Sequence, residues 1–167
     1  MEDRKKSRVW LFGDNVNTDL MSPSYTWTMD WSEAKKHILI NHEGFAAGVQ
    51  PGDIIVAGKN FGCGSSREAA PANLLKLGVK AVVAQSFARI FFRNSIALGL
   101  PVMACKEAAQ ALHDGDFVEL DIASGTLTGG EPVVTLQTES YSAEILELIR
   151  GGGIVAQLRT LKEKGAL

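Results

Sequence analysis

Apolar positions in this chain fall in short runs separated by glycine and small polar residues, the pattern of alternating strands and helices. Residues 8–12 predict a first strand, closed by Gly13-Asp14-Asn15. The stretch 14–31 is dense in Asn, Asp, Ser, Pro and Thr and predicts a long loop. A loop of that length in a small domain is usually functional or mobile. Ser32 is placed to cap a short helix running to residue 40, with Glu33 in its first turn. A turn at 51–53 then leads into a buried strand at 54–57 and a glycine-punctuated loop at 58–64.

A helix is expected over 67–77 with Gly78 as its stop, a strand over 79–84, a helix over 87–98 ended by Gly99, and a strand over 100–103. Strand, helix, strand, helix, strand is a βαβαβ signature and implies parallel pairing. The pattern then changes to short strands at 117–122, 126–128 and 133–136, followed by helices at 142–149 and 154–162 around Gly151-Gly152-Gly153. The expected fold class is α/β: one domain over 1–167, a mixed sheet with flanking helices, and a loop at 14–31.

Composition narrows the function. Apolar residues make up 46% and charged residues 22% of 167, ordinary values for a globular domain. The net charge of −2 and the lack of a basic stripe argue against nucleic acid as a partner. The cluster Arg4-Lys5-Lys6 is read as solvated. No apolar run reaches the ~20 residues that span a bilayer, and the N-terminal residues lack a signal-peptide core, so a cytoplasmic location is expected. The two cysteines, Cys63 and Cys105, have no CxxC partner. Two thiols cannot by themselves hold an iron–sulfur cluster, which normally takes three or four protein ligands, so no metal site is expected in this chain.

The chemistry concentrates in Gly58-Lys59-Asn60-Phe61-Gly62-Cys63-Gly64-Ser65-Ser66-Arg67-Glu68, between a buried strand and a helix. Glycines there let the backbone approach a ligand, and a helix N-terminus favours an anion. Ser65 and Ser66 offer hydroxyls and Arg67 a planar fork for a carboxylate. Two readings stay open: a site for a small carboxylic acid, and a capping box in which Ser65 and Glu68 only satisfy backbone donors. The Gly62-x-Gly64 pair lacks the third glycine of a dinucleotide fingerprint, and no P-loop lysine follows.

The run from Gly52 to Glu68 resembles the signature of the 3-isopropylmalate dehydratase small subunit, in the aconitase superfamily. So do Ser86-Phe87-Ala88-Arg89-Ile90-Phe91-Phe92-Arg93-Asn94-Ser95, with Gly99-Leu100-Pro101 behind them, and the earlier Gly13-Asp14-Asn15-Val16-Asn17-Thr18-Asp19. The resemblance implies a swivelling β/β/α domain like the fourth domain of aconitase. It also implies a partner large subunit that holds a [4Fe–4S] cluster. The implied reaction is dehydration and rehydration of a hydroxy-dicarboxylate, most directly 2-isopropylmalate to 3-isopropylmalate in leucine biosynthesis.

By the same resemblance Ser65 is the catalytic base, acting as an alkoxide, while Ser66 and Arg67 bind substrate carboxylate. The partner's iron would act as Lewis acid for the departing hydroxide. Asp19 matches an acidic position near the active site and is read as substrate-binding, with local side-chain turns by Asn17 and Asp19 as the lesser alternative. Ser22 falls where aconitase carries a serine. Arg89 is read as tying its helix to a loop, and His37, His42 and His113 as surface residues. Two departures stand out: Ala69 replaces a histidine, and the run 24–29 (Ser-Tyr-Thr-Trp-Thr-Met) has no arginine. Trp27 and Met29 would favour an alkyl substituent, unless Trp27 merely packs the loop down. Citramalate, 2,3-dimethylmalate and homoaconitate remain alternative substrates, and a non-catalytic carboxylate-binding module is the rival from another class.

Overall fold

The computed structural model describes residues 6–165, so Arg4 and Lys5 of the terminal basic cluster lie outside the described residues. In chain order the elements are β1 (Ser7–Leu11), α1 (Thr18–Met21), α2 (Trp31–Ala34), α3 (Phe45–Gly48), β2 (Ile54–Ala57), α4 (Ala69–Lys76), β3 (Ala81–Ala84), α5 (Arg89–Leu98) and β4 (Val102–Ala104). They continue with α6 (Ala108–Ala111), β5 (Phe117–Asp121), β6 (Thr126–Gly129), β7 (Val134–Gln137), α7 (Ala143–Arg150) and α8 (Ile154–Glu163). One seven-stranded sheet runs in the order β4-β3-β2-β1-β5-β6-β7. Its β1 to β4 half is parallel, as the βαβαβ pattern requires, and β5 to β7 add antiparallel strands beside β1.

The two halves differ in sequence because they differ in burial. Every residue of β2 (Ile-Ile-Val-Ala) and β3 (Ala-Val-Val-Ala) is buried, since the parallel strands are covered on both faces. Alternate residues feed two cores. Trp10, Ile55, Val82 and Val102 pack with Leu74 of α4 and Phe91 and Ile96 of α5. Val9, Ile54, Val83 and Met103 pack on the other face with Ala108 of α6 and with Val118 and Leu127 of the antiparallel strands. The outermost parallel strand, β4, is closed off by Tyr141, whose hydroxyl accepts from the Val102 N–H at 2.7 Å and donates to the Val102 carbonyl.

Four expectations are revised for identifiable reasons. The helix expected from residue 67 starts at Ala69. Pro71 has no N–H and is tolerated only in a first turn, so a helix begun at Arg67 would clash. The helix expected over 32–40 is instead α2, which begins at Trp31 after Asp30, followed by a 3₁₀ turn at Lys35–His37. It stops there because Ile38 and Leu39, adjacent in sequence, are both fully buried, and Leu39 adopts φ +50 to donate to the Leu20 carbonyl at 2.7 Å. The stretch 14–31 is not irregular either: it holds α1 and a 3₁₀ turn at Ser24–Thr26. The start of α5 moves from 87 to Arg89 because Ala88 stays extended and donates to the Phe61 carbonyl at 2.9 Å.

Candidate active site

The loops leaving β1 and β2 run side by side beyond the carboxyl ends of the parallel strands, the usual place for a site in an open α/β sheet. Main-chain bonds zip them together: Gly58 N to Gly13 O (3.2 Å), Asn15 N to Lys59 O (2.8 Å), Gly62 N to Val16 O (2.8 Å) and Thr18 N to Cys63 O (2.8 Å). Phe61 anchors the second loop in the core against Phe87 and Phe91. Its N–H donates to the Ser86 carbonyl at 3.0 Å. Two glycines permit this closeness. At Gly62 (φ +81) a Cβ would lie 2.1 Å from the Phe91 ring, and at Gly64 (φ +96) it would lie 2.5 Å from the Asn17 side-chain oxygen.

Arg67 is the hub of the site. Its Nη2 lies 2.8 Å from Asp19 Oδ1, and its Nη1 donates to the Ser22 carbonyl at 2.9 Å. The guanidinium also lies 5.1 Å from the centre of the Trp27 ring. Trp27 is tied down in turn, its indole N–H donating to Ser22 Oγ at 3.2 Å, yet it stays 63% exposed. Asp19, Ser22 and Trp27, from the loop after β1, therefore meet Arg67, from the loop after β2, at one place beside Ser65 and Ser66. Ser65 and Ser66 are exposed, and among the described residues neither hydroxyl makes a hydrogen bond. The amides of Gly64, Ser65 and Ser66 likewise meet no acceptor among the described residues. Exposed hydroxyls, free backbone donors and a partly satisfied guanidinium can together receive a carboxylate.

The capping box does not form, because α4 starts four residues after Ser65 and Glu68, at the cap position, makes no side-chain capping bond. Of the two turn candidates, only Asn17 acts as one, accepting from the Asp19 N–H at 2.8 Å and capping α1. The Asp19 carboxylate pairs with Arg67 instead. Arg89 ties no loop: it is exposed, and its side chain makes no hydrogen bond or ion pair among the described residues. His42 is not a surface residue. It packs on Trp10, Phe12 and Phe45, with Nε2 3.1 Å from Asp114 Oδ1. Sequence reasoning missed Thr18 and Asn73. Asn73 donates to the Met21 carbonyl at 2.9 Å and holds the end of α1 against α4. Neither bond has a local signal, since each joins residues about fifty apart.

Comparison with known proteins gives the family of the chain. Residues 32–107 match the family model described as the aconitase C-terminal domain. The chain is 44% identical to the 3-isopropylmalate dehydratase small subunit of Hydrogenobaculum sp. (strain Y04AAS1), over 90% of this chain and 93% of that one. It is also 44% identical to the methanogen homoaconitase small subunit of Methanothermobacter thermautotrophicus, over 93% and 91% of the two chains. Among solved structures, the crystal structure of 3-isopropylmalate dehydratase from Methanocaldococcus jannaschii superposes with a TM-score of 0.85 at 39% identity, covering 96% of each chain. Identity at this level over nearly the whole length, on the same mixed α/β fold, means that the chain belongs to the 3-isopropylmalate dehydratase small-subunit family of the aconitase superfamily.

Proposed function

We propose that this chain is the small subunit of a heteromeric hydro-lyase that isomerises 2-isopropylmalate to 3-isopropylmalate and works only with a large subunit. The observation that carries the substrate assignment is the pair Arg67–Trp27. A cation that binds a carboxylate stands beside an exposed apolar ring, with Tyr25 and Met29 also exposed along the same turn. A malate bearing an alkyl group presents those two features together. At the ring's position a substrate with a third carboxylate would need a cation, which tells against homoaconitate.

In this reading Ser65 accepts the proton from the carbon next to a substrate carboxylate. Arg67 and Ser66 hold that carboxylate as charge builds on it. Arg67 can do so because its bonds to Asp19 and Ser22 leave other N–H donors of the fork available. Aconitase-family membership implies a [4Fe–4S] enzyme. The described residues do not fit the cluster: no group of three or more His, Cys, Asp or Glu could hold a metal, and of the two cysteines Cys105 is buried. We assign the cluster to the large subunit, because the two cysteines of this sequence fall short of the three or four protein ligands a cluster normally takes.

The test is co-purification with the large subunit from the same genome and anaerobic assay on isopropylmalate, citraconate, dimethylmaleate and homoaconitate. Turnover of isopropylmalate well above the others supports the assignment, while preference for citraconate or dimethylmaleate moves it to an alternative alkylated malate. Ser65→Ala should abolish turnover and spare substrate binding; near-normal turnover would remove Ser65 from the base role. A complex inert to the whole panel would favour a binding module.

A further inference from the structure

We infer that Thr18 is a positioning residue for the catalytic turn, setting the direction of Ser65 and of the backbone donors beside it; this rests on the reading of Ser65 as base. Thr18 is 1% exposed and makes two bonds across the zipped loops. Its N–H donates to the Cys63 carbonyl at 2.8 Å, and its hydroxyl donates to the Ser65 carbonyl at 2.9 Å. The carbonyls on either side of Gly64 are thus both turned inward onto one residue.

Peptide planarity gives this a consequence. In a trans peptide the C=O and the following N–H point to opposite sides, and the one cis bond among the described residues is Glu131–Pro132. Holding the carbonyls of Cys63 and Ser65 on Thr18 therefore turns the N–H groups of Gly64 and Ser66 away from it, toward the exposed side where the Ser65 and Ser66 hydroxyls stand. The Thr18 amide bond would survive any side-chain change. The Ser65 carbonyl also accepts from the Arg67 N–H at 2.9 Å within the turn, so the Thr18 hydroxyl is the bond that ties this carbonyl to the loop after β1. Gly64, at φ +96 and pressed on Asn17, leaves that end a hinge if the hydroxyl is lost. Small misplacement of a reacting group is expensive in rate, on the order of a hundredfold for 1 Å.

The experiment compares Thr18→Val and Thr18→Ser with Ser65→Ala, each co-expressed with the large subunit and assayed as the assembled complex. The expected result is that Thr18→Val lowers kcat roughly tenfold or more with KM changed much less, while Thr18→Ser, which keeps the hydroxyl, restores most of kcat. Unchanged kcat in Thr18→Val overturns the inference. Equal losses in the Val and Ser variants, tracking a lower melting temperature, overturn it in favour of a packing role. If Ser65→Ala stays active, the base assignment fails and the inference with it. If Ser65→Ala is inactive and Thr18→Val is normal, only the positioning role is lost.

Discussion

Asp19 Oδ1 lies 2.8 Å from Arg67 Nη2, so the guanidinium assigned to a substrate carboxylate already carries a carboxylate of its own chain. The pair is lopsided in exposure, with the Asp19 side chain 56% accessible and Arg67 22%. Water screens such a pair, and its contribution to stability is about 0–1 kcal/mol. Its effect on ligand binding is larger, because Asp19 both aims the fork and competes for it. Asp19→Asn keeps an acceptor for Arg67 and removes the competing charge. In the assembled enzyme this substitution should tighten binding of a dicarboxylate inhibitor by several-fold, up to roughly fivefold for ~1 kcal/mol. The melting temperature should hardly change. An inhibition constant that is unchanged or weaker at low salt refutes the competition.

Arg67→Lys should fail as a conservative replacement. Arginine here serves Asp19, the Ser22 carbonyl and the Trp27 face at once. A lysine ammonium is a point charge that cannot make the fork. The expected result is a KM raised about tenfold or more, from ~1–2 kcal/mol of lost charged hydrogen bonding. Steady-state kinetics of the complex measure it directly.

Trp27→Arg should change substrate preference rather than fold. The ring is mostly solvent-exposed and its removal leaves no core cavity. A second cation beside Arg67 supplies the partner that a third carboxylate lacks. The ratio of kcat/KM for homoaconitate over isopropylmalate should rise, on the order of tenfold for one new charged contact. A ratio that stays constant would mean that Trp27 does not face the substrate's variable group.

The cysteines should separate by reactivity. Cys63 is half-buried in the candidate site, whereas Cys105 is fully buried, and burial pushes the Cys105 thiol up from its ordinary pKa. A disulfide reagent added to the folded chain should therefore titrate one thiol quickly, identified as Cys63 by mass spectrometry. Equal rates at both positions would contradict the burial.

Tyr141 makes the fold sensitive to alkali. Burial pushes its phenol pKa up, so the folded state holds the proton more tightly than the unfolded chain does. The stabilisation is complete below the unfolded value near 10 and is lost as pH rises beyond it. Denaturant midpoints should be flat in this respect from pH 8 to about 10 and fall above it, and Tyr141→Phe should blunt the fall. That variant should also lose about 1–3 kcal/mol through the unpaired groups of Val102.

How much of the fold and the site is legible in the sequence depends on whether the signal is local. The fully apolar runs of β2 and β3 announce buried parallel strands, and the alternation in β5 announces a one-sided antiparallel one. The loop from Gly58 to Arg67 stands out by its residue types, Asp19 and Ser22 come from matching family positions, and Trp27 comes from the apolar character of a run that departs from the family pattern. Pro71 could have corrected the start of α4, since its missing N–H is visible in the sequence. The end of α2 cannot be read, because it is set by the burial of Leu39 beneath Leu20. Thr18 gives no sign either: its partner lies 47 residues away, and a threonine before an aspartate looks like any turn.

The zipper between the loops after β1 and β2 is made largely of main-chain atoms. Its geometry is therefore indifferent to most side chains around it, and the turn from residue 24 to 29 hangs beside it without contributing to those bonds. An architecture of this kind separates two tasks: the frame beneath the proposed base stays constant while the wall proposed to meet the substrate can be rewritten. Libraries confined to residues 24–29 should on that account yield many folded, assembling subunits with altered selectivity, whereas variation at 62–65 should yield few.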